Sequence, residues 1–160
     1  MRAVIAAAGF CGLIVGCYLN TLVYRLQASR PLVTQDCFCP ACGHPLTLWE
    51  QIPVLGYLLL HGKCRWCGAP IALHYPLVEA GCAVLYAGLA ALLPGAGRFA
   101  AVCFLAAMLI AGALLYREDA DAFSERLRHP VPFLRGAGVL AFYHLLIAVC
   151  IGIVRLGTAA

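Results

Sequence analysis

Charge is the scarcest property of this 160-residue chain: 11% of its residues are Asp, Glu, Lys or Arg, against about 25% in an ordinary soluble domain. With 64% apolar residues and a mean hydropathy of +0.92, that scarcity excludes a water-soluble globule. It also excludes a disordered chain, which stays open because it carries much charge and little apolar surface. The net charge of +4 is too small, and its Lys and Arg too scattered, for a nucleic-acid footprint. No acidic residue follows Glu125, and no Gly-rich strand-to-helix turn of the dinucleotide-binding type occurs.

What is present is four apolar stretches, 3–23, 77–93, 99–116 and 137–154, broken internally only by Glu79. Each is close to the roughly 20 residues that cross a hydrocarbon core about 30 Å thick. They predict an all-α polytopic membrane protein of four transmembrane helices. Residues 1–93 make a first unit: one span, a long loop over 25–76 and a second span. Residues 94–160 make a second unit of two spans joined by a charged loop over 117–135. Placing both loops in the cytoplasm puts Arg25, Arg30, Lys63, Arg65, Arg117, Arg126, Arg128 and Arg135 inside and leaves Arg2, Arg98 and Arg155 outside, which satisfies the positive-inside rule. The first stretch also resembles a secretory signal, but it runs past Cys17 to Val23 without an Ala-x-Ala cleavage site, so a retained helix is expected.

The long loop carries Cys39-Pro40-Ala41-Cys42-Gly43 and, with 21 residues between Cys42 and Cys64, Cys64-Arg65-Trp66-Cys67-Gly68. Each Cys-x-x-Cys turn aims two thiolates at one point while its Gly permits the backbone reversal. Cys39, Cys42, Cys64 and Cys67 together make a closed tetrahedral sulfur shell suited to structural zinc, or to a similar soft metal such as iron. Paired disulfides fit a reducing cytoplasm poorly, and a redox dithiol lacks its βαβ frame. Cys37 is an extra thiol beside the first pair. The five histidines stand singly, and none has a partner spaced for a catalytic triad. In the first span Gly12, Gly16, Asn20 and Tyr24 recur every fourth residue, a ridge for close helix approach that sets one amide inside the bundle. Helix packing explains Asn20; so does a functional site, since polar groups at membrane depth face a partner or a cavity.

These residues carry a family resemblance. Gly16-Cys17-Tyr18-Leu19-Asn20-Thr21-Leu22-Val23-Tyr24-Arg25-Leu26 resembles the end of the first helix of bacterial type IV prepilin peptidases, the bifunctional leader peptidase and N-methyltransferase enzymes. The stretch from Leu48-Trp49-Glu50-Gln51-Ile52-Pro53 to Tyr57 resembles that family's W-x-x-N-I-P-V-x-S-Y, with Gln51 for Asn and Gly56 for Ser. Ile71-Ala72-Leu73-His74-Tyr75-Pro76-Leu77-Val78-Glu79 resembles I-S-x-R-Y-P-L-V-E, with His74 for Arg. The resemblance covers about residues 9–93. It implies a bacterial inner-membrane location, a cytoplasmic metal loop, prepilin or pseudopilin N-terminal segments as partners and S-adenosylmethionine as a possible methyl donor.

The remaining chain departs from the family at its protease motifs. Those enzymes bring two aspartates together on a water. Here Asp119 is the candidate relic of the first, and the Gly-x-Gly-Asp of the second has no counterpart, because Gly136-Ala137-Gly138 runs into Val139. The expectation is therefore no self-sufficient leader peptidase. For methyl transfer the acceptor amine must be neutral, and Glu79 is the candidate carboxylate to take its proton; an acid that merely caps its helix is the alternative. Asn20 and Trp49 are the candidate substrate-binding residues, with Trp49 expected to cap the site from the aqueous side. Two functions stand open. One is a stand-alone methyltransferase-type module, or one half of a split peptidase with a separate protease-half protein. The other is a non-catalytic scaffold for pilus or secretion components.

Overall fold

The computed structural model describes residues 2–28, 37–93 and 95, with individual helical positions between 99 and 113 and between 137 and 148. Three helices are delimited: α1, Arg2–Gln27; α2, Leu55–Leu59; and α3, His74–Leu92. Among the described residues, α1 and α3 are the two helices long and apolar enough to cross a membrane. The third and fourth expected spans are seen only as separate helical positions, and the charged loop over 117–135, Asp119 included, lies outside the described residues.

α1 and α3 pack side by side and antiparallel, and the small residues of α1 set the distance. A Cβ on Gly12 would lie 2.4 Å from the Cys82 carbonyl oxygen, and one on Gly16 would lie 2.6 Å from Glu79 Cα. No side chain larger than hydrogen fits there, so the glycine ridge expected from the sequence is the face that meets α3. Between apolar helices in lipid this close packing is the main attraction, because hydrocarbon tails are as apolar as the side chains.

α3 begins earlier than its apolar run. Pro76 falls in the first turn, where a missing N–H costs nothing, so the helix starts at His74 rather than at Leu77. Glu79 consequently stands in the second turn and not, as the apolar run suggested, in the first. The helix terminus is then too far away to account for its placement. Deeper in the bundle, Tyr86 is fully buried, meets Phe99 edge-on at 6.1 Å between ring centroids, and hydrogen bonds the buried His144 ring. The histidine of the last apolar stretch is thus tied directly to α3.

Candidate functional site

The long loop is a duplicated knuckle. In the first copy Cys39 N–H donates to the His44 carbonyl (2.9 Å), Gly43 N–H to Cys39 (2.8 Å) and Leu46 N–H to Cys37 (2.8 Å). In the second, Cys64 N–H donates to Ala69 (2.8 Å), Gly68 N–H to Cys64 (2.9 Å) and Ile71 N–H to Gly62 (2.7 Å). Each copy is closed by one antiparallel bridge, Phe38 to Pro45 and Lys63 to Pro70. Gly43 and Gly68 both sit at φ +72°, the left-handed conformation that each reversal demands and that a Cβ disfavours. Cys37 therefore corresponds to Gly62: the knuckle uses its carbonyl, not its thiol.

The two copies bring the sulfurs of Cys39, Cys42, Cys64 and Cys67 within 4.8 Å of one another. Cys39 and Cys67 Sγ are 3.9 Å apart, and Cys42 and Cys64 Sγ 4.0 Å. A tetrahedron with zinc–sulfur bonds of about 2.3 Å has edges of about 3.8 Å, so the donor set fits zinc. Backbone N–H groups of Cys67 and Trp66 hold the Cys64 thiol down at about 7. The Cys42 thiol takes a backbone hydrogen bond from His44 that lowers it, but desolvation and the three neighbouring thiols together push it up to about 11. Four thiolates this close repel one another unless a cation sits among them. His44 and His61 are not in the cluster; His44 instead lies on Trp66 across the two knuckles, ring centroids 3.9 Å apart.

Beside the knuckles, where α1 ends and α3 begins, lies a cavity of about 470 Å³. Asn20 and Glu79 both line it and are buried, 5% and 8% exposed. Asn20 Nδ2 donates to the Tyr75 carbonyl at 3.0 Å, tying α1 to the start of α3, while its Oδ1 has no hydrogen-bond partner among the described residues. The Glu79 carboxylate accepts the backbone N–H of Val54 at 2.7 Å, with the Cys17 thiol and the Asn20 amide beside it. Val54 has φ 62°, a left-handed conformation rare for a β-branched residue, so this backbone donor is held in a strained position against the carboxylate.

Trp49 stands elsewhere. It is 73% exposed and does not line the cavity. Glu50 Oε2 accepts from the N–H (2.7 Å) and hydroxyl (2.9 Å) of Thr47, closing a turn that directs Glu50, Gln51 and Ile52 to the cavity and leaves Trp49 on its outer side. Arg25, counted in the sequence as a topological charge, and Cys17, given no role there, both belong to the cavity wall, where Arg25 is buried. Their positions one or two turns from Asn20 on the same helix were the available signal.

Residues 10–93 match the family model of the bacterial peptidase A24 N-terminal domain. The chain belongs to this family. Among curated relatives it is similar to the prepilin leader peptidase/N-methyltransferase of Burkholderia pseudomallei (strain 1026b), 36% identical over 132 residues that cover 67% of this chain and 43% of that protein. The protein of the same name from Myxococcus xanthus (strain DK1622) is 46% identical over 68 residues, 42% of this chain and 20% of its own. That from Pseudomonas putida is 40% identical over 103 residues, 51% and 36% respectively. The chain spans less than half the length of these relatives. No solved structure matches it. The A24 N-terminal segment contains α1 from Phe10 onward, both knuckles, α2, α3 and the whole lining of the cavity.

Proposed function

We propose that this A24 N-terminal domain handles the N-terminal end of a prepilin- or pseudopilin-like helix at the membrane and serves N-methyl transfer to its terminal amine. The observation that carries the reading is a buried carboxylate, Glu79, and an unpartnered acceptor, Asn20 Oδ1, on one wall of one cavity. A peptide α-amino group has a pKa near 7.7–8.0, so much of it is protonated and without a nucleophilic lone pair at neutral pH. Glu79 takes the proton that the amine must lose, and Asn20 Oδ1 accepts a remaining N–H and aims the nitrogen. A cavity of about 470 Å³ is in the usual range for a small-molecule site, roughly 300–1,000 Å³, and the carboxylate suits a cationic donor such as S-adenosylmethionine. When bound, that donor supplies the methyl group. Zinc in the four-cysteine shell has no open position and holds the loop that walls the cavity.

In this reading the protein is a multi-pass component of the bacterial inner membrane with the knuckles in the cytoplasm. Leader cleavage is not assigned to this domain. The test uses the purified chain in vesicles, a synthetic pilin N-terminal peptide and labelled S-adenosylmethionine. Glu79→Gln should keep peptide binding and lose about 10²–10⁴-fold in methyl transfer, the contribution of a general base, whereas Asn20→Ala should weaken binding. Binding without methyl transfer by the unaltered chain would make it a scaffold presenting pilins to the assembly machinery. Unchanged binding and turnover in both variants would refute the site.

A further inference from the structure

The loop between α1 and α3 contains a stretch that does not belong in water. Ile52-Pro53-Val54-Leu55-Gly56-Tyr57-Leu58-Leu59-Leu60 has no charged residue, and Leu55, Leu58 and Leu59 on α2 are 54%, 58% and 67% exposed. Its depth follows from its anchor. The 19 residues of α3 rise about 28 Å, barely the roughly 30 Å of a hydrocarbon core, so no turn of α3 is to spare for the aqueous side. Glu79 lies five residues beyond His74, about 7.5 Å along the helix. Val54, bonded to the Glu79 carboxylate, is held within one side-chain length of that depth, and α2 starts from the next residue. The stretch also meets the condition lipid imposes on a backbone. Leu55 N–H donates to Pro53, Gly56 to Ile52, Leu58 to Val54 and Leu60 to Gly56, all within the segment.

We infer that residues 52–60 form a re-entrant element, and that the exposed leucines of α2 contact the acyl chains of the cytoplasmic leaflet. This rests on α1 and α3 crossing the membrane and not on the methyl-transfer reading. At the same end of α3 Leu77 is likewise exposed (62%), so the leaflet that covers it lies at the depth of α2. Glu79 and Val54 hold the element on one side while lipid closes over the other.

Depth-resolved quenching tests it in the full chain. In a Trp49→Phe/Trp66→Phe background, a single tryptophan is introduced by Leu58→Trp or, independently, by Leu59→Trp, with Val84→Trp on the exposed side of α3 as the lipid reference. Proteins are reconstituted in phosphatidylcholine vesicles with or without brominated acyl chains. Both α2 probes should lose fluorescence to brominated lipid to the same extent as the reference, with acrylamide quenching equally reduced. Acrylamide quenching without bromine quenching would put α2 in water and overturn the inference. Protection from both quenchers would also overturn it, showing that a protein surface covers the leucines.

Discussion

Replacing Gly16 or Gly12 by Ala tests what holds the two long helices together, because two effects of the same methyl group oppose each other. Within a helix, Gly to Ala is stabilising by about 0.8–1 kcal/mol. Here, however, the new Cβ meets backbone: Cys82 O at 2.4 Å and Ala83 Cα at 2.8 Å for Gly12, Glu79 Cα at 2.6 Å for Gly16. Backbone cannot rotate away as a side chain would, so α1 and α3 must separate by about 1 Å to restore contacts near 3.5 Å. A gap of that size forfeits roughly a quarter to a half of the dispersion attraction along the interface. Overpacking of this kind costs about 1–3 kcal/mol, which offsets the propensity gain and leaves a net loss of up to about 2 kcal/mol. Gly81→Ala is the control, since nothing among the described residues lies within 4 Å of its Cβ position, and it should be neutral or stabilising. The assay is reversible unfolding of the reconstituted chain in denaturant. Gly12→Ala and Gly16→Ala as stable as Gly81→Ala would refute the close-packed interface.

Metal analysis should find about one zinc per chain, retained in Cys37→Ser and lost when Cys39, Cys42, Cys64 and Cys67 are all replaced by Ser; zinc retained in the fourfold variant would exclude the cluster. Tyr86→Phe leaves the buried His144 ring without its hydroxyl partner and should cost about 0.6–2 kcal/mol, with much of the loss recovered in Tyr86→Phe/His144→Leu, so a double-mutant cycle showing no coupling would contradict the bond. The Thr47 backbone N–H holds the Glu50 carboxyl below the usual carboxylate range. Its folded pKa is depressed, so its contribution is present above the unfolded value and is lost as pH falls through the folded one. The stability deficit of Glu50→Gln, measured as a shift in denaturant midpoint, should be full at pH 7 and shrink in acid. Purified chain should not cleave a prepilin leader; cleavage abolished by Asp119→Asn would overturn that expectation.

The features legible in the sequence were those whose chemistry fixes a spacing. Two Cys-x-x-Cys-Gly pairs admit one closure, and the structure builds it. Gly12 and Gly16, one turn apart, had to mark a contact face, and antiparallel packing then placed Asn20 and Glu79 at one depth. The partner of Glu79 was hidden because it is the main-chain N–H of Val54, a donor present at nearly every residue and without a sequence signature. Tyr86 and His144, 58 residues apart, carried no periodic cue to join them. Trp49 was assigned inward from its amphipathic ring alone, whereas direction within a tight turn is set by dihedrals, here by the Thr47–Glu50 clamp. The nine uncharged residues after Gln51 were hidden because they are too few for a span and stand between the two Cys pairs.

The Val54–Glu79 bond also divides the loop as a polymer. Residues 28–73 would otherwise be one long tether between the two long helices, with the sulfur cluster joining its two halves. Pinned near its midpoint, the tether becomes two shorter segments, each carrying one knuckle, and the entropy of closing each grows only slowly with length, by about 0.6 kcal/mol per doubling. The two half-sites are thus brought near each other before any ion arrives, so metal capture starts from a partly assembled loop. Metal release, by the same reasoning, frees the knuckle turns while the Val54–Glu79 bond keeps the middle of the loop pinned to α3. Under chelation the amides of Cys39 and Cys64 should exchange with solvent while that of Val54 stays protected.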